Sequence, residues 1–334
     1  MSMMAYPLLT SIPKMANSAE VLNHLLGHPP PAPSSIAYNF LVPNQTGLTN
    51  FFKSLSDKSP EDSAPITSPQ DPNAPPTPPP SPKPGQDNDE PAPITSTSDP
   101  NEMPSSPPES PSPQPPKSSS PKHTTDISIF LAATESFSRA NTNCTIADSL
   151  ERSRSIVSIA KENSLQVRGY VSVALGCPYD GPDVPPQRVA EITRSLLEMG
   201  VDEVSVADTT GMGTAPKTLE LLKALFAAGI SPHDLALHFH DTYGQALVNV
   251  CVGLEHGIRV FDSAVGGLGG CPFSKGATGN LSTEDLLHCL HSLGMDTGVD
   301  IEEMSRIGDW VSRELGRPNE SRAGKAVLSR LKPE

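Results

Sequence analysis

The chain has 334 residues, with 24 Lys and Arg against 38 Asp and Glu and a formal net charge of −14. That acidic balance, without a basic cluster, excludes nucleic acid and an anionic membrane surface as partners, and no apolar run has the length needed to cross a bilayer. The five cysteines, Cys144, Cys177, Cys251, Cys271 and Cys289, are scattered without a CxxC pair, which predicts free thiols in a reducing compartment and an idle sequon at Asn143.

The N-terminal "MSMMAYPLLTSIPKM" has the layout of neither a signal peptide nor a transit peptide. After it, "AEVLNHLLGH" predicts a helix, "IAYNFLVPN" (36–44) a strand and "TGLTNFFKSL" a helix. Of the 38 prolines, 22 then fall between Pro60 and Pro121, in a stretch without Phe, Tyr, Trp, Leu or Val and with nine acidic against two basic side chains. Such a segment cannot bury enough apolar area to offset the entropy of ordering it, so a disordered Pro/Ser-rich insertion is expected. It divides the chain into 1–56, the insertion 57–125 and 126–334. An insertion between a helix and the next strand is a surface excursion that a barrel tolerates.

Beyond it the pattern is regular. "DISIFLAA" (126–133) predicts a strand, and the following helix carries Ile146, Leu150, Ile156 and Ile159. "QVRGYVSVAL" (166–175) predicts a strand, followed by a helix with Val189, Ile192, Leu196 and Met199 along one stripe. The cycle repeats through "DEVSVAD" (202–208), "APKTLELLKALFAAG", "LALHFHD" (235–241), "GQALVNVCVGLEHG" and "IRVFDSAVGG" (258–267). Strands separated by single helices imply parallel βαβ units, hence an α/β fold, with a barrel preferred over an open sheet. Six strands fall short of the closed (β/α)8 ring.

Three features carry chemistry. His238 and His240 lie two apart on a strand, so both imidazoles project from one face and can serve a divalent ion, with Asp241 directly following; the plainer reading is a hydrogen-bonded core histidine beside an incidental one. Asp208 ends the preceding strand, either as a functional carboxylate or as the N-cap of the next helix. Cys271 follows Gly266, Gly267, Gly269 and Gly270, glycines that permit a thiol to approach a site and withdraw. A phosphate-cradling glycine loop is the competing reading, but the Lys-Ser/Thr ending is missing. Cys251 and Cys289 read as structural.

Four stretches together, "VRGYVSVALGCPYDG", "VADTTGMGT", "LHFHDTYGQALVN" and "SAVGGLGGCPFSKGATGNLSTEDL", resemble the 3-hydroxy-3-methylglutaryl-CoA lyases, which belong to a metal-dependent lyase and synthase group built on TIM barrels. The resemblance runs from about Ile127 to about Gly298 and resumes upstream at "PKMANSAEVLNHL" and "FLVPNQTGLTNF". The related isopropylmalate and homocitrate synthases share the HxHD element but carry a glycine–glutamate–arginine loop where this chain has "GLGGCP". The resemblance implies His238, His240 and Asn280 as ligands of Mg²⁺ or Mn²⁺, and Cys271 as a catalytic thiol on a glycine loop. It further implies Asp208 and His238 as acid–base groups, and Ser205 and Glu284 as substrate neighbours. It implies an acyl-CoA substrate cleaved to acetyl-CoA and acetoacetate in leucine and ketone-body metabolism, a homodimer, and the mitochondrial matrix, with the cytoplasm as the alternative.

The sequence departs from the family at its front. The arginine–aspartate pair of the first strand and the glutamate of the second have no counterpart, and "RDG" occurs nowhere. The expectation is a partial (β/α)8 barrel lacking the first one to two strands, weakened in metal binding and activity, whose natural form begins earlier. The alternative is an inactive barrel fragment whose Pro-rich segment, in polyproline II form, engages SH3- or WW-type modules.

Overall fold

A computed structural model describes residues 3–5, 21–22, 24–25, 37–56, 124–270 and 279–331. All of them belong to one unit of the chain, Met1–Lys58 with Pro121–Glu334. The strands among them are β1 (Met3–Ala5), β2 (Ala37–Leu41), β3 (Thr124–Ala132), β4 (Val167–Ser172), β5 (Glu203–Asp208), β6 (Leu235–Phe239) and β7 (Val260–Asp262). They form a single sheet in sequence order, β1 to β7, with every pairing parallel. Each crossover among the later strands is helical, as parallel pairing requires.

Helix α1 (Gln45–Ser56) precedes β3; α2 (Glu135–Thr142) and α3 (Ile146–Glu162) lie between β3 and β4; α4 (Pro186–Glu198), α5 (Ala215–Ala227) and α6 (Ala246–Glu255) follow β4, β5 and β6. Three helices close the chain: α7 (Thr283–Ser292), α8 (Ile301–Glu314) and α9 (Arg322–Leu331). The helix-facing side of the sheet is an apolar layer: Ile127, Ile129, Leu131, Val204, Val206, Leu235 and Leu237 are all at most 2% exposed. They pack against Val157, Leu196, Leu221 and Val250, each such burial stabilising the fold by about 1.5–3 kcal/mol. Alternation then turns Arg168, Tyr170, Ser205, Ala236, His238 and Asp262 to the opposite, inner face.

The fold is the partial α/β barrel that the sequence predicts, with four local differences. A seventh strand, β1, joins β2 in the register Met3↔Tyr38; three residues are too few to show an alternating pattern. Helix α2 escapes an apolar-period reading because its sequence, ESFSRANT, is mostly polar and only Phe137 and Ser138 are buried; its signal is the Thr134 N-cap, which accepts the Phe137 N–H. Strand β4 stops at Ser172 because Val173 takes a positive φ of 54°. Strand β7 spans three residues, well short of 258–267: beyond it the chain turns at Gly266 and Gly267, whose φ values of 63° and 64° no strand accommodates. The predicted insertion lies outside the described residues apart from Thr124 and Thr125, which already belong to β3.

Candidate active site

The site sits at the C-terminal end of β6. His238 pairs in register with Ala207 on one side and Asp262 on the other, and the ring centroids of His238 and His240 are 5.3 Å apart. Immediately after β6 the backbone meets a segment from forty residues further on: Asp241 N–H donates to the Gly279 carbonyl at 3.1 Å and Leu281 N–H to the Phe239 carbonyl at 3.0 Å. This short antiparallel contact puts Asn280 directly opposite His240. The family resemblance groups these three residues, and the structure brings them together.

Two polar atoms here are left over. His240 Nδ1 and Asn280 Oδ1 are buried with no hydrogen-bond partner among the described residues. The Asn280 amide nitrogen is already committed to the Leu268 carbonyl at 2.9 Å, which fixes its oxygen as the free atom. Burial, and secondarily the nearby charge of His238, drops the His240 pKa to about 3, so the ring is neutral near pH 7 and offers a lone pair. Buried acceptors without a donor are costly unless a cation satisfies them, and imidazole plus amide oxygen suits a divalent metal. The residues present therefore fit the implied ion, although among the described residues no cluster of three or more His, Cys, Asp or Glu exists to hold one.

Asp208 is 1% exposed and does not cap α5, whose N-cap is Thr214. Its carboxylate instead accepts the Gly213 N–H at 2.9 Å and the Thr210 hydroxyl at 3.3 Å, holding the loop that follows β5. Burial raises its pKa to about 6 in spite of these bonds, a value suited to proton transfer near neutrality. Gly266, Gly267, Gly269 and Gly270 all have positive φ. At Gly269 a Cβ would fall 2.7 Å from Asn280 Nδ2, so glycine is required where the loop passes the amide. Cys271, next in sequence, lies outside the described residues, as do the residues to 278.

Ser205 and Glu284, expected as substrate neighbours, are both fully buried, and their side chains are engaged within the protein. Ser205 Oγ donates to Asp262 Oδ2 at 2.8 Å. Glu284 accepts the Gly266 N–H with both oxygens, at 3.1 and 2.9 Å, and so clamps the base of the glycine loop to α7. A cavity of about 420 Å³ opens beside this loop, bordered by Asp241, Gly267, Gly269, Asn280, Asp285 and Arg322.

Sequence reasoning missed Arg168 and Asp262. Arg168 Nη1 lies 2.8 Å from Asp262 Oδ1 and its Nε 2.7 Å from Glu203 Oε1, with the Arg168 and Asp262 side chains 7% and 8% exposed. Burial pushes the Asp262 pKa up, but Arg168 and His238 more than reverse it and hold it below the usual carboxylate value. The available signal was a charged residue in the inward register of a central strand, "QVRGYV", and an aspartate level with the HxH pair, "VFDS".

The HMGL-like family matches residues 121–311. A 3-hydroxy-3-isohexenylglutaryl-CoA/hydroxy-methylglutaryl-CoA lyase of Pseudomonas aeruginosa is 50% identical over 205 residues, 61% of this chain and 68% of that protein. The mitochondrial hydroxymethylglutaryl-CoA lyase of Arabidopsis thaliana is 49% identical over 207 residues, 62% of this chain but 44% of the plant protein. A cytoplasmic 3-hydroxy-3-methylglutaryl-CoA lyase of Danio rerio is 48% identical over 202 residues, 60% of each chain. The chain thus spans about half to two thirds of the length of these relatives. Among solved structures, the hydroxymethylglutaryl-CoA lyase of Pseudomonas aeruginosa aligns with a TM-score of 0.72 at 35% identity, covering 98% of this chain and 84% of that one.

Proposed function

The chain belongs to the HMGL-like family, and from that premise we propose that it carries the cleavage site of a lyase acting on 3-hydroxy-3-methylglutaryl-CoA. The observation that carries the reading is the buried pair His240 Nδ1 and Asn280 Oδ1, without partners among the described residues, beside His238 at the end of β6. His238, His240 and Asn280 would hold a divalent cation, Mg²⁺ or Mn²⁺. When bound, such an ion supplies electrophilic stabilisation of the substrate's oxygens.

The reaction breaks the C2–C3 bond. The C3 hydroxyl proton leaves to a base, the C–O⁻ electrons collapse to the ketone of acetoacetate, and the C2–C3 electron pair enters the thioester enolate. A proton returned to C2 gives acetyl-CoA, so no other reactant is consumed. We assign the base role to Asp208, whose pKa burial raises to about 6, and leave His238 to the cation. Cys271, next in sequence after the glycine loop of Gly266, Gly267, Gly269 and Gly270, is assigned as the donor to C2. Glu284 and Gly269 set where that loop starts and how it passes Asn280.

Relatives named mitochondrial and cytoplasmic support either compartment for this chain, and leucine catabolism follows from the substrate. The test is acetoacetate release from 3-hydroxy-3-methylglutaryl-CoA by the purified chain with Mg²⁺ or Mn²⁺. Release abolished by His240→Ala and by Cys271→Ala supports the reading; release indifferent to both refutes it.

A further inference from the structure

Asp262, at the end of β7, is the hub of a buried cluster that the chemistry above does not use. Its Oδ1 pairs with Arg168 Nη1 at 2.8 Å, and its Oδ2 accepts the Ser205 hydroxyl at 2.8 Å while lying 3.3 Å from His238 Nδ1. Arg168 Nη1 also donates to the Tyr170 hydroxyl and its Nε lies against Glu203, so two of its three nitrogens are held. A carboxylate ion-paired to a guanidinium has no proton to give and can only accept. The nitrogen of His238 facing it must therefore carry the hydrogen, and the lone pair belongs to Nε2. Among the described residues His240 has no such neighbour, and its Nδ1 is unpartnered. The two imidazoles are thus not equivalent: one is oriented by a carboxylate and one is not.

We infer that Asp262, seated by Arg168 and Ser205, is a positioning residue that locks His238 in its Nδ1–H tautomer and so reserves Nε2 for the divalent cation. The inference rests on the metal reading of the site, and it deepens that reading by giving the inner-face cluster a purpose. Ligating histidines generally donate their second ring N–H to a carboxylate or carbonyl, and loss of that partner costs about 10–100-fold in metal affinity. Ser205 belongs to this layer: it donates to the same oxygen as His238 and limits where the carboxylate can swing.

The test begins with long-range ¹H–¹⁵N correlation spectra of the full chain, metal-free, at pH 8. His238 is expected as the Nδ1–H tautomer; an Nε2–H tautomer overturns the inference without any substitution. Asp262→Asn is then expected to erase the tautomer preference and to lower Mn²⁺ affinity, read by water-proton relaxation, by about 10-fold or more. Circular dichroism establishes that the variant is folded. A tautomer and a Mn²⁺ affinity unmoved in folded Asp262→Asn overturn the positioning role alone. Failure of the unaltered chain to bind Mn²⁺ at all overturns the metal reading itself, whatever the tautomer, so the two failures are told apart.

Discussion

Gly308→Ala tests the clamp that seats the glycine loop. A Cβ at position 308 would fall 2.0 Å from Glu284 Oε1 and 3.1 Å from Asn319 Nδ2. Glu284 has no room to retreat without loss, because it is fully buried and both its oxygens hold the Gly266 N–H. Overpacking of this kind costs about 1–3 kcal/mol, and leaving the buried Gly266 N–H unsatisfied adds roughly 1–3 kcal/mol. Alanine in place of glycine inside α8 returns about 1 kcal/mol of helix propensity. The mid-range net is a destabilisation of about 3 kcal/mol, a large fraction of the margin by which domains are stable. Urea unfolding followed by circular dichroism measures it, with an unchanged m-value confirming that the native state is what moved. A variant within about 0.5 kcal/mol of the parent, or more stable than it, would refute the claim that Glu284 is locked in place.

Glu284→Gln isolates the charge. Burial raises the Glu284 pKa above 4.5 in the fold, so the native state binds this proton more tightly than the unfolded chain, and its contribution is full below the unfolded value and lost as pH rises through the folded one. The stability of the Gln variant relative to the parent should therefore climb with pH above about 4.5 and then level off; a difference flat across pH 4–8 would contradict it. Gly269→Ala, at φ 97° and 2.7 Å from the Asn280 amide, should cost about 1–2 kcal/mol in backbone strain and lower Mn²⁺ affinity, whereas unchanged affinity would remove Asn280 from the ligand set. Thr145→Ala breaks the capping box with Asp148 at the start of α3 and should cost about 1 kcal/mol, read as a lowered thermal midpoint with activity intact.

Legibility in the sequence followed period and punctuation. The stripe Val189, Ile192 and Leu196 announces α4, and all three are buried. The alternation in "LALHFHD" puts Leu235, Leu237 and Phe239 against the helices and the two histidines on the inner face, which the burial of those three bears out. Asn280 is a different case. No local pattern links it to His240, and only the resemblance joined them; the structural cause is the antiparallel contact Asp241–Gly279 and Leu281–Phe239, a pairing of backbone groups that leaves no trace in side-chain periodicity.

Arg168 and Asp262 escaped for a physical reason that bears on how such sites are built. A charge in a strand reads as solvent-facing, because an isolated buried charge is prohibitively costly. That inference fails when two opposite charges from distant strands meet on the inner face, since each then satisfies the other: Arg168 on β4 and Asp262 on β7 are separated by β5 and β6 in the sheet and still stand 2.8 Å apart. Only side chains that reach across the curved interior can do this, so the contact is itself a consequence of the sheet's curvature. Breaking such a pair from one side costs about 3–5 kcal/mol, more than a hydrophobic replacement of both. The pair is therefore a poor choice for stability alone, and its cost is better explained by the ring of His238 that Asp262 touches.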